Sequence, residues 1–215
     1  YFIHIQDPIT SINFCAHGGT FKIRRISIRL VLQGNQPTKQ IKMKKISILC
    51  FTLIFIQFSI ANAQNWTSNQ IEKANTAKDV AYLTTVEKEC VMYINLCRLY
   101  PKDFLKYEVV NYYGTEKYGN YVKYSTYRQS LINLLNFMQP VDALYFDTEA
   151  YKNAKCFAIE QGKAGTTGHT RINCKDGNYA ECCSYGMDTG KDIVLQLLID
   201  DDVPSLGHRI NCLNK

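Results

Sequence analysis

The hydrophobic periodicity of this chain predicts a helical domain over residues 64–215. Four segments of that region carry apolar residues at steps of three and four, the spacing of a helix with one buried face. The same region shows little obvious strand pattern. Its length suits a single domain with one hydrophobic core. Taken alone, these observations favour an all-helical fold.

The first two predicted helices end close to prolines, which cannot continue a helix. The second runs from about Ser125 to Met138, with Pro140 beyond it. The first ends before Pro101 and carries its apolar face on Val80, Leu83, Val86, Cys90, Ile94 and Cys97.

The other two predicted helices begin at polar residues that suit a helix N-terminus. The third starts after Asp147-Thr148 and stops at Gly162. The fourth starts at Thr189-Gly190-Lys191-Asp192, which has the spacing of a capping box, and ends in Asp200-Asp201-Asp202.

A three-part targeting signal precedes this domain. Met43-Lys44-Lys45 is basic, residues 46–60 are apolar, and Ala61-Asn62-Ala63 is a small-residue cleavage box. The apolar run is shorter than the ~20 residues that a membrane helix needs, which disfavours the alternative of an uncleaved anchor. We therefore expect a signal peptide at residues 43–63 and an exported, secreted or periplasmic domain at residues 64–215, without stable membrane insertion.

Residues 1–42 are predicted to be an upstream or non-native leader. The segment starts at Tyr1 instead of a methionine, and the apolar residues between Phe21 and Leu30 are followed by no pattern that could form a core with them. On this interpretation His4, Cys15 and His17 lie outside any functional site.

The leader and signal peptide carry the positive charge of the chain. The full chain has 25 basic and 19 acidic residues and a net charge of +6. Eight of the basic residues and one acidic residue precede Gln64, so the remainder has 17 and 18, a net charge of −1. This balance removes the electrostatic argument for a nucleic-acid partner.

Seven of the nine cysteines lie in the predicted exported domain, where disulfides are expected. Because seven is odd, at least one of them lacks a partner within the domain. Cys90 and Cys97 are an unsuitable pair, since seven residues of helix would place them about 10 Å apart.

A tyrosine-rich stretch from Tyr107 to Tyr127 separates the first two helices. Tyrosines clustered on a surface could stack on a sugar or a partner protein. Packing of an irregular connection against the core is the favoured interpretation, because no acidic or amide residues are spaced to hold a sugar.

Two Gly-His steps are the strongest candidates for chemistry. They hold His169 and His208, the only histidines after the signal peptide, and Glu181 lies between them in the sequence. A glutamate in a small, uncharged segment needs a cationic or metal partner when it is desolvated. Each histidine taken separately could simply be hydrogen-bonded to backbone, and Glu181 could pair with Arg171 or Arg209.

The order of four blocks resembles the CAP superfamily of cysteine-rich secretory, antigen-five and pathogenesis-related proteins, in particular its bacterial exported branch. The blocks are Asn95-Leu96-Cys97-Arg98, Gly168-His169, residues 181–186 (Glu-Cys-Cys-Ser-Tyr-Gly) and residues 198–209. The resemblance implies an α+β fold, an α/β/α sandwich, with a cleft lined by two histidines and acidic residues. By position, His169, Glu181 and His208 match the first histidine, the glutamate and the second histidine of the family.

Two departures from the family pattern affect these expectations. No second glutamate occurs between Glu181 and His208, and Asp200 or Asp201 is the nearest substitute. The family also continues beyond its second histidine with strands that complete the central sheet. We therefore expect the CAP domain at residues 64–215 to lack its C-terminal strands.

The sequence is compatible with two functions. The resemblance implies a secreted binding or effector protein without an established reaction, whose extracellular ligand is a small apolar molecule, a glycan or a protein. Its cleft would hold a divalent metal such as zinc through His169, His208 and Glu181, with Asp200 as a further candidate ligand.

The alternative is a metal-assisted hydrolase, in which His169 and His208 bind the ion and Glu181 is the general base. The histidines are not in a His-Glu-x-x-His helix, which disfavours this alternative. A cysteine nucleophile at Cys182 or Cys183 is less favoured because exported cysteines are usually oxidised, and no serine-hydrolase motif surrounds Ser184.

Overall fold

Seven helices and four short strands make up the part of the chain that the computed structural model describes, which is residues 4–7, 10–17, 66–177 and 180–214. These residues belong to one compact unit formed by residues 1–19 and 66–215. The predicted signal peptide at residues 43–63 lies outside the described residues. In chain order the helices are α1 (Ser68–Ala74), α2 (Thr85–Leu99), α3 (Pro101–Phe104), α4 (Thr126–Phe137), α5 (Thr148–Ala164), α6 (Gly190–Ile199) and α7 (Gly207–Leu213).

All four helices predicted from periodicity are confirmed, as α2, α4, α5 and α6. Each begins at a residue whose side chain accepts a hydrogen bond from the first turn, which satisfies backbone N–H groups that have no partner within the helix. These capping residues are Thr84, Ser125, Asp147 and Thr189. Glu87 completes a capping box with Thr84. A π-helical turn over Leu105–Val109 follows α3.

The all-helical expectation from periodicity is wrong, because the described residues form a mixed helix and strand fold. The strands are β1 (His4–Asp7), β2 (Thr10–His17), β3 (Tyr145–Phe146) and β4 (Ala180–Tyr185). They form one sheet in the order β3-β1-β2-β4, in which only the β2–β4 pair is parallel. The register of that pair places Asn13 opposite Glu181 and Cys15 opposite Cys183.

Strands β1 and β2 fall within residues 1–42, which the sequence analysis interpreted as a leader. The position beside β4 in the sheet is occupied by β2. The boundaries of the leader, the signal peptide and the domain remain predictions, as does the exclusion of His4, Cys15 and His17 from a site.

Strand β4 divides the hydrophobic core into two clusters. Cys182 packs in the larger cluster, with α2, α4 and α6. Cys183 packs in the smaller cluster with Phe157 and Ala158 of α5. Because successive strand residues point to opposite faces, Glu181 and Cys183 share the α5 face and Cys182 faces the larger cluster.

Asn95 and Arg98, two residues of α2, form side-chain hydrogen bonds with segments that are distant in the sequence. The amide of Asn95 donates to the carbonyls of Ala74 and Leu144, and its oxygen accepts from the N–H of Leu144. The fully buried guanidinium of Arg98 donates to the carbonyls of Cys212 and Asn214. Asn95 and Arg98 therefore have a structural role, because a buried polar group destabilises the folded state unless it is hydrogen-bonded.

One disulfide, between Cys156 of α5 and Cys174, occurs among the described residues. Cys90 and Cys97 lie on α2 without a disulfide between them, as expected from their spacing. Within the described residues, no helix has both the length and the apolar composition that crossing a bilayer requires.

Candidate functional site

The loop that carries His169 is anchored between α5 and β4. Helix α5 ends at Gly165 in the left-handed conformation, and Gly168 also has a positive φ of 95°. The amide of Gln161 donates to the carbonyl of Gly168 over 2.6 Å, and the N–H of Gly168 donates to the hydroxyl of Tyr185 over 2.9 Å. These bonds fix the backbone immediately before His169.

Glu181 connects the histidine to an arginine. His169 Nδ1 lies 2.8 Å from Glu181 Oε1, and since a carboxylate only accepts, Nδ1–H donates. The guanidinium of Arg171 donates to the other oxygen, Oε2. Arg171 also stacks 4.2 Å above the ring of Phe157. Both oxygens of Glu181 are therefore engaged, and its side chain is only 13% exposed.

The thiol of Cys183 lies beside His169 and Glu181. Its Sγ lies 3.8 Å from His169 Nδ1 and 3.7 Å from the carbonyl oxygen of Gly168. One ligand atom from each of His169, Glu181 and Cys183 lies within 4.8 Å of the others. The cluster thus contains an imidazole, a carboxylate and a thiol, which are all metal-binding groups.

The acidic partners of His169 favour its charged form. The hydrogen bond to Cys183 and then the one to Glu181 raise the pKa of His169 to about 10, against a smaller opposing effect of burial. The imidazole is therefore protonated on both ring nitrogens at neutral pH when no other cation is bound there.

His208 is positioned by a different carboxylate. Its Nδ1 lies 2.7 Å from Asp200 Oδ1, and Oδ2 of Asp200 accepts from the backbone N–H groups of His208 and Arg209. Asp200 caps the end of α6 in the left-handed conformation, and its side chain is 1% exposed. This arrangement leaves Nε2 as the available nitrogen of His208.

The two imidazoles line one cavity of about 370 Å³. Their ring centres are 6.4 Å apart and their planes differ by 29°. Apolar side chains form much of the remaining wall, together with Tyr121, Cys183 and Tyr185; the apolar residues are Val122, Leu197, Ile199 and Val203. A cavity of this size suits a small ligand with an apolar body and a polar or ionic end.

The structure brings most of the sequence-predicted site residues together. Glu181 contacts His169 directly, and His208 faces His169 across the cavity. Asp200 also lines the cavity, but its side chain contacts His208, so it positions that imidazole. Of the two arginines considered as partners for Glu181, Arg171 makes the ion pair.

Arg209 lies elsewhere, buried and bonded to the carbonyls of Leu198 and Ile199. Ser184 is fully buried and donates to the side chain of Gln196, so it is unavailable as a nucleophile.

Sequence reasoning did not identify Cys183 as a possible metal ligand. The available signal was the two-residue spacing between Glu181 and Cys183, which places both side chains on one face of a strand. That signal is usable only once residues 180–185 are known to be a strand, and hydrophobic periodicity did not predict β4.

Compared with known proteins, the chain matches no family model, no curated protein and no solved structure.

Proposed function

We propose that this chain is an exported binding protein of the CAP type, whose cleft holds a divalent metal ion through His169, His208 and Glu181. The observation that carries the proposal is that two imidazoles line one cavity, each held by its own carboxylate. A carboxylate that accepts from one ring nitrogen and leaves the other available is the usual support of a metal-binding histidine. At His208 this support is Asp200, 2.7 Å from Nδ1.

The distance between the rings is compatible with a shared ion after a small movement. Two imidazoles bound to one zinc at 2.0–2.1 Å have ring centres roughly 5–6 Å apart. The observed separation is 6.4 Å. His169 is 55% exposed at its side chain, so rotation of its ring towards His208 meets little surrounding protein.

The CAP assignment is supported by the convergence of three residues that the family resemblance relates to its cleft, His169, Glu181 and His208. Export is supported by the signal-peptide pattern of residues 43–63, and the disulfide between Cys156 and Cys174 is compatible with it. The mixed helix and strand fold is compatible with the α/β/α sandwich of that family.

A binding role fits the cleft better than the hydrolase alternative. A general base needs a carboxylate oxygen within reach of the attacking water. Arg171 occupies Oε2 of Glu181, and Oε1 faces His169 and would be taken by the ion, so neither oxygen is left for an attacking water. We therefore place Glu181 as a metal ligand or as the orienting partner of His169, and the occupant of the cavity as a small extracellular ligand with an apolar body.

Calorimetric titration with zinc tests this function. We expect the purified chain to bind one zinc ion, and the double variant His169→Gln, His208→Gln to lose binding by at least ~100-fold. Asp188→Asn is the matched surface control, because Asp188 is exposed, pairs with Lys117 and is not among the residues that line the cavity. Absence of zinc binding by the unmodified chain would overturn the proposal.

Turnover measurements separate the two functions. We expect no chelator-sensitive hydrolysis of peptide or ester substrates by the zinc-loaded chain. Chelator-sensitive turnover that Glu181→Gln abolishes would instead establish the hydrolase.

A further inference from the structure

The position of Cys183 in the cleft bears on which metal the site selects. Its Sγ lies 3.8 Å from His169 Nδ1, on the side of β4 that faces α5. The neighbouring thiol, Cys182, lies on the opposite face, where it contacts the carbonyl of His208 and the thiol of Cys212. Only one of the two adjacent cysteines therefore belongs to the histidine cluster.

The spacing of the three side chains suits a single tetrahedral ion. With zinc–sulfur bonds of about 2.3 Å and zinc–nitrogen bonds of about 2.0 Å, tetrahedral angles place sulfur and nitrogen roughly 3.5 Å apart. The observed separation of Sγ and Nδ1 is 3.8 Å, and all three ligand atoms lie within 4.8 Å of one another. An ion at the centre requires the contact between His169 Nδ1 and Glu181 Oε1 to open from 2.8 Å, and the more widely separated ligand atoms, up to 4.8 Å apart, to close towards the same spacing.

Glu181 can bind an ion and keep its ion pair with Arg171. Arg171 donates to Oε2, whereas Oε1 is the oxygen that faces His169. A metal at the centre of the cluster can take Oε1 while Oε2 keeps its ion pair. The carboxylate would then be a one-oxygen ligand held in place by the partly buried guanidinium of Arg171.

We propose that Cys183 is a thiolate ligand in the cleft and that the site therefore selects a thiophilic divalent ion of the zinc class over calcium or magnesium. His169 and Glu181 supply the next two ligands, and His208 closes the site from across the cavity. Binding releases the thiol proton of Cys183 and the proton of His169 Nδ1 to the solvent. Thiolate ligands favour zinc and related ions, whereas calcium and magnesium prefer oxygen. This inference rests on the proposed metal-binding function and specifies its ligand set.

Cobalt(II) substitution tests the thiolate directly, because a cobalt–thiolate bond produces a charge-transfer band in the near ultraviolet that nitrogen and oxygen ligands do not. We expect the chelator-treated chain to show this band when cobalt is added, and to lose it when zinc, but not calcium, is added in excess. Calorimetry on Cys183→Ser should show zinc binding at least ~10-fold weaker. Cys182→Ser is the matched control and should retain the band.

The outcomes distinguish this inference from the function on which it rests. Zinc binding without a charge-transfer band, with affinity unchanged in Cys183→Ser, would overturn the thiolate and leave the histidine–glutamate site intact. No binding of either metal to the unmodified chain would overturn both. If Cys183→Ser fails to fold, as judged by circular dichroism, the cobalt spectrum of the unmodified chain decides the question.

Discussion

Asp200 holds His208 at both its ring and its backbone. Oδ1 of Asp200 lies 2.7 Å from Nδ1 of His208, and Oδ2 accepts from the N–H of the same histidine over 3.0 Å. One buried carboxylate thus caps the start of α7 and orients an imidazole at the cavity. The residue that ends α6 therefore also determines which nitrogen of His208 faces a ligand.

Asp200→Asn should weaken both the fold and the site. Asparagine tolerates the left-handed conformation at this position, where φ is 57°, so the substitution mainly removes the charge. Hydrogen bonds to a buried charged group contribute about 1.5–3 kcal/mol, and we expect a loss of that order in urea unfolding. Zinc affinity should fall ~10–100-fold, as for other orienting partners. Unchanged zinc affinity would show that Asp200 does not orient the imidazole.

The charge state of His169 gives a second prediction. Its pKa is raised to about 10 from the ordinary 6.5 by the hydrogen bond to Cys183 and then by the one to Glu181. NMR titration of the chelator-treated chain should find this imidazole still protonated at pH 8. Because the folded-state pKa is raised, the stability that the charged form contributes is complete below pH 6.5 and is lost as the pH rises towards 10.

Substitution separates the causes of this shift. Cys183→Ser and Glu181→Gln should each move the pKa of His169 back towards 6.5. Asp176→Asn is the control, since Asp176 is almost fully exposed and contacts only Arg171 of this cluster. A pKa near 6.5 in the unmodified chain would contradict the contacts of His169 with Cys183 and Glu181.

Periodicity predicted the helices because each has one face in the core and a polar residue at its start. Helix α4 illustrates this, with Leu131 and Leu135 fully buried and Ser125 capping its N-terminus. Strand β4 was missed because its residues have no simple alternation. Glu181 is polar but is held in an ion pair, and Ser184 is polar but fully buried. The alternation of polar and apolar residues therefore does not indicate which face of the strand is buried.

The site was only partly predictable, because one of its residues depends on strand β4. His169, Glu181 and His208 stand out in the sequence by residue type and by their family-like blocks. Arg171 was one of two candidate partners of Glu181, and the fold selects it over Arg209. Cys183 joins the cluster because residues 180–185 form a strand, which hydrophobic periodicity did not predict.

The disulfide should stabilise the loop that carries His169. Cys156 lies on α5 and Cys174 follows the loop, so the bond closes a loop with a sequence separation of 18 residues. Closing a loop of this length stabilises a fold by about 3 kcal/mol. We expect Cys156→Ala, Cys174→Ala to lose stability of that order in urea unfolding and to bind zinc more weakly. Reduction of the unmodified chain should have the same effect, and no change in either measurement would contradict the prediction.

Among the cysteines whose side chains the structure describes, thiol labelling distinguishes Cys183 from Cys90, Cys97, Cys182 and Cys212. Cys90, Cys97, Cys182 and Cys212 are at most 1% exposed, and burial raises the pKa of the first three thiols. Cys183 is 7% exposed and lines the cavity. Since only the thiolate reacts, an alkylating reagent should modify Cys183 first, and the other four, which do not reach the cavity, at least ~100-fold more slowly, through unfolding. Peptide mass spectrometry measures this order, and zinc should protect Cys183. Labelling of Cys182 as fast as Cys183 would contradict the placement of these two residues on opposite faces of β4.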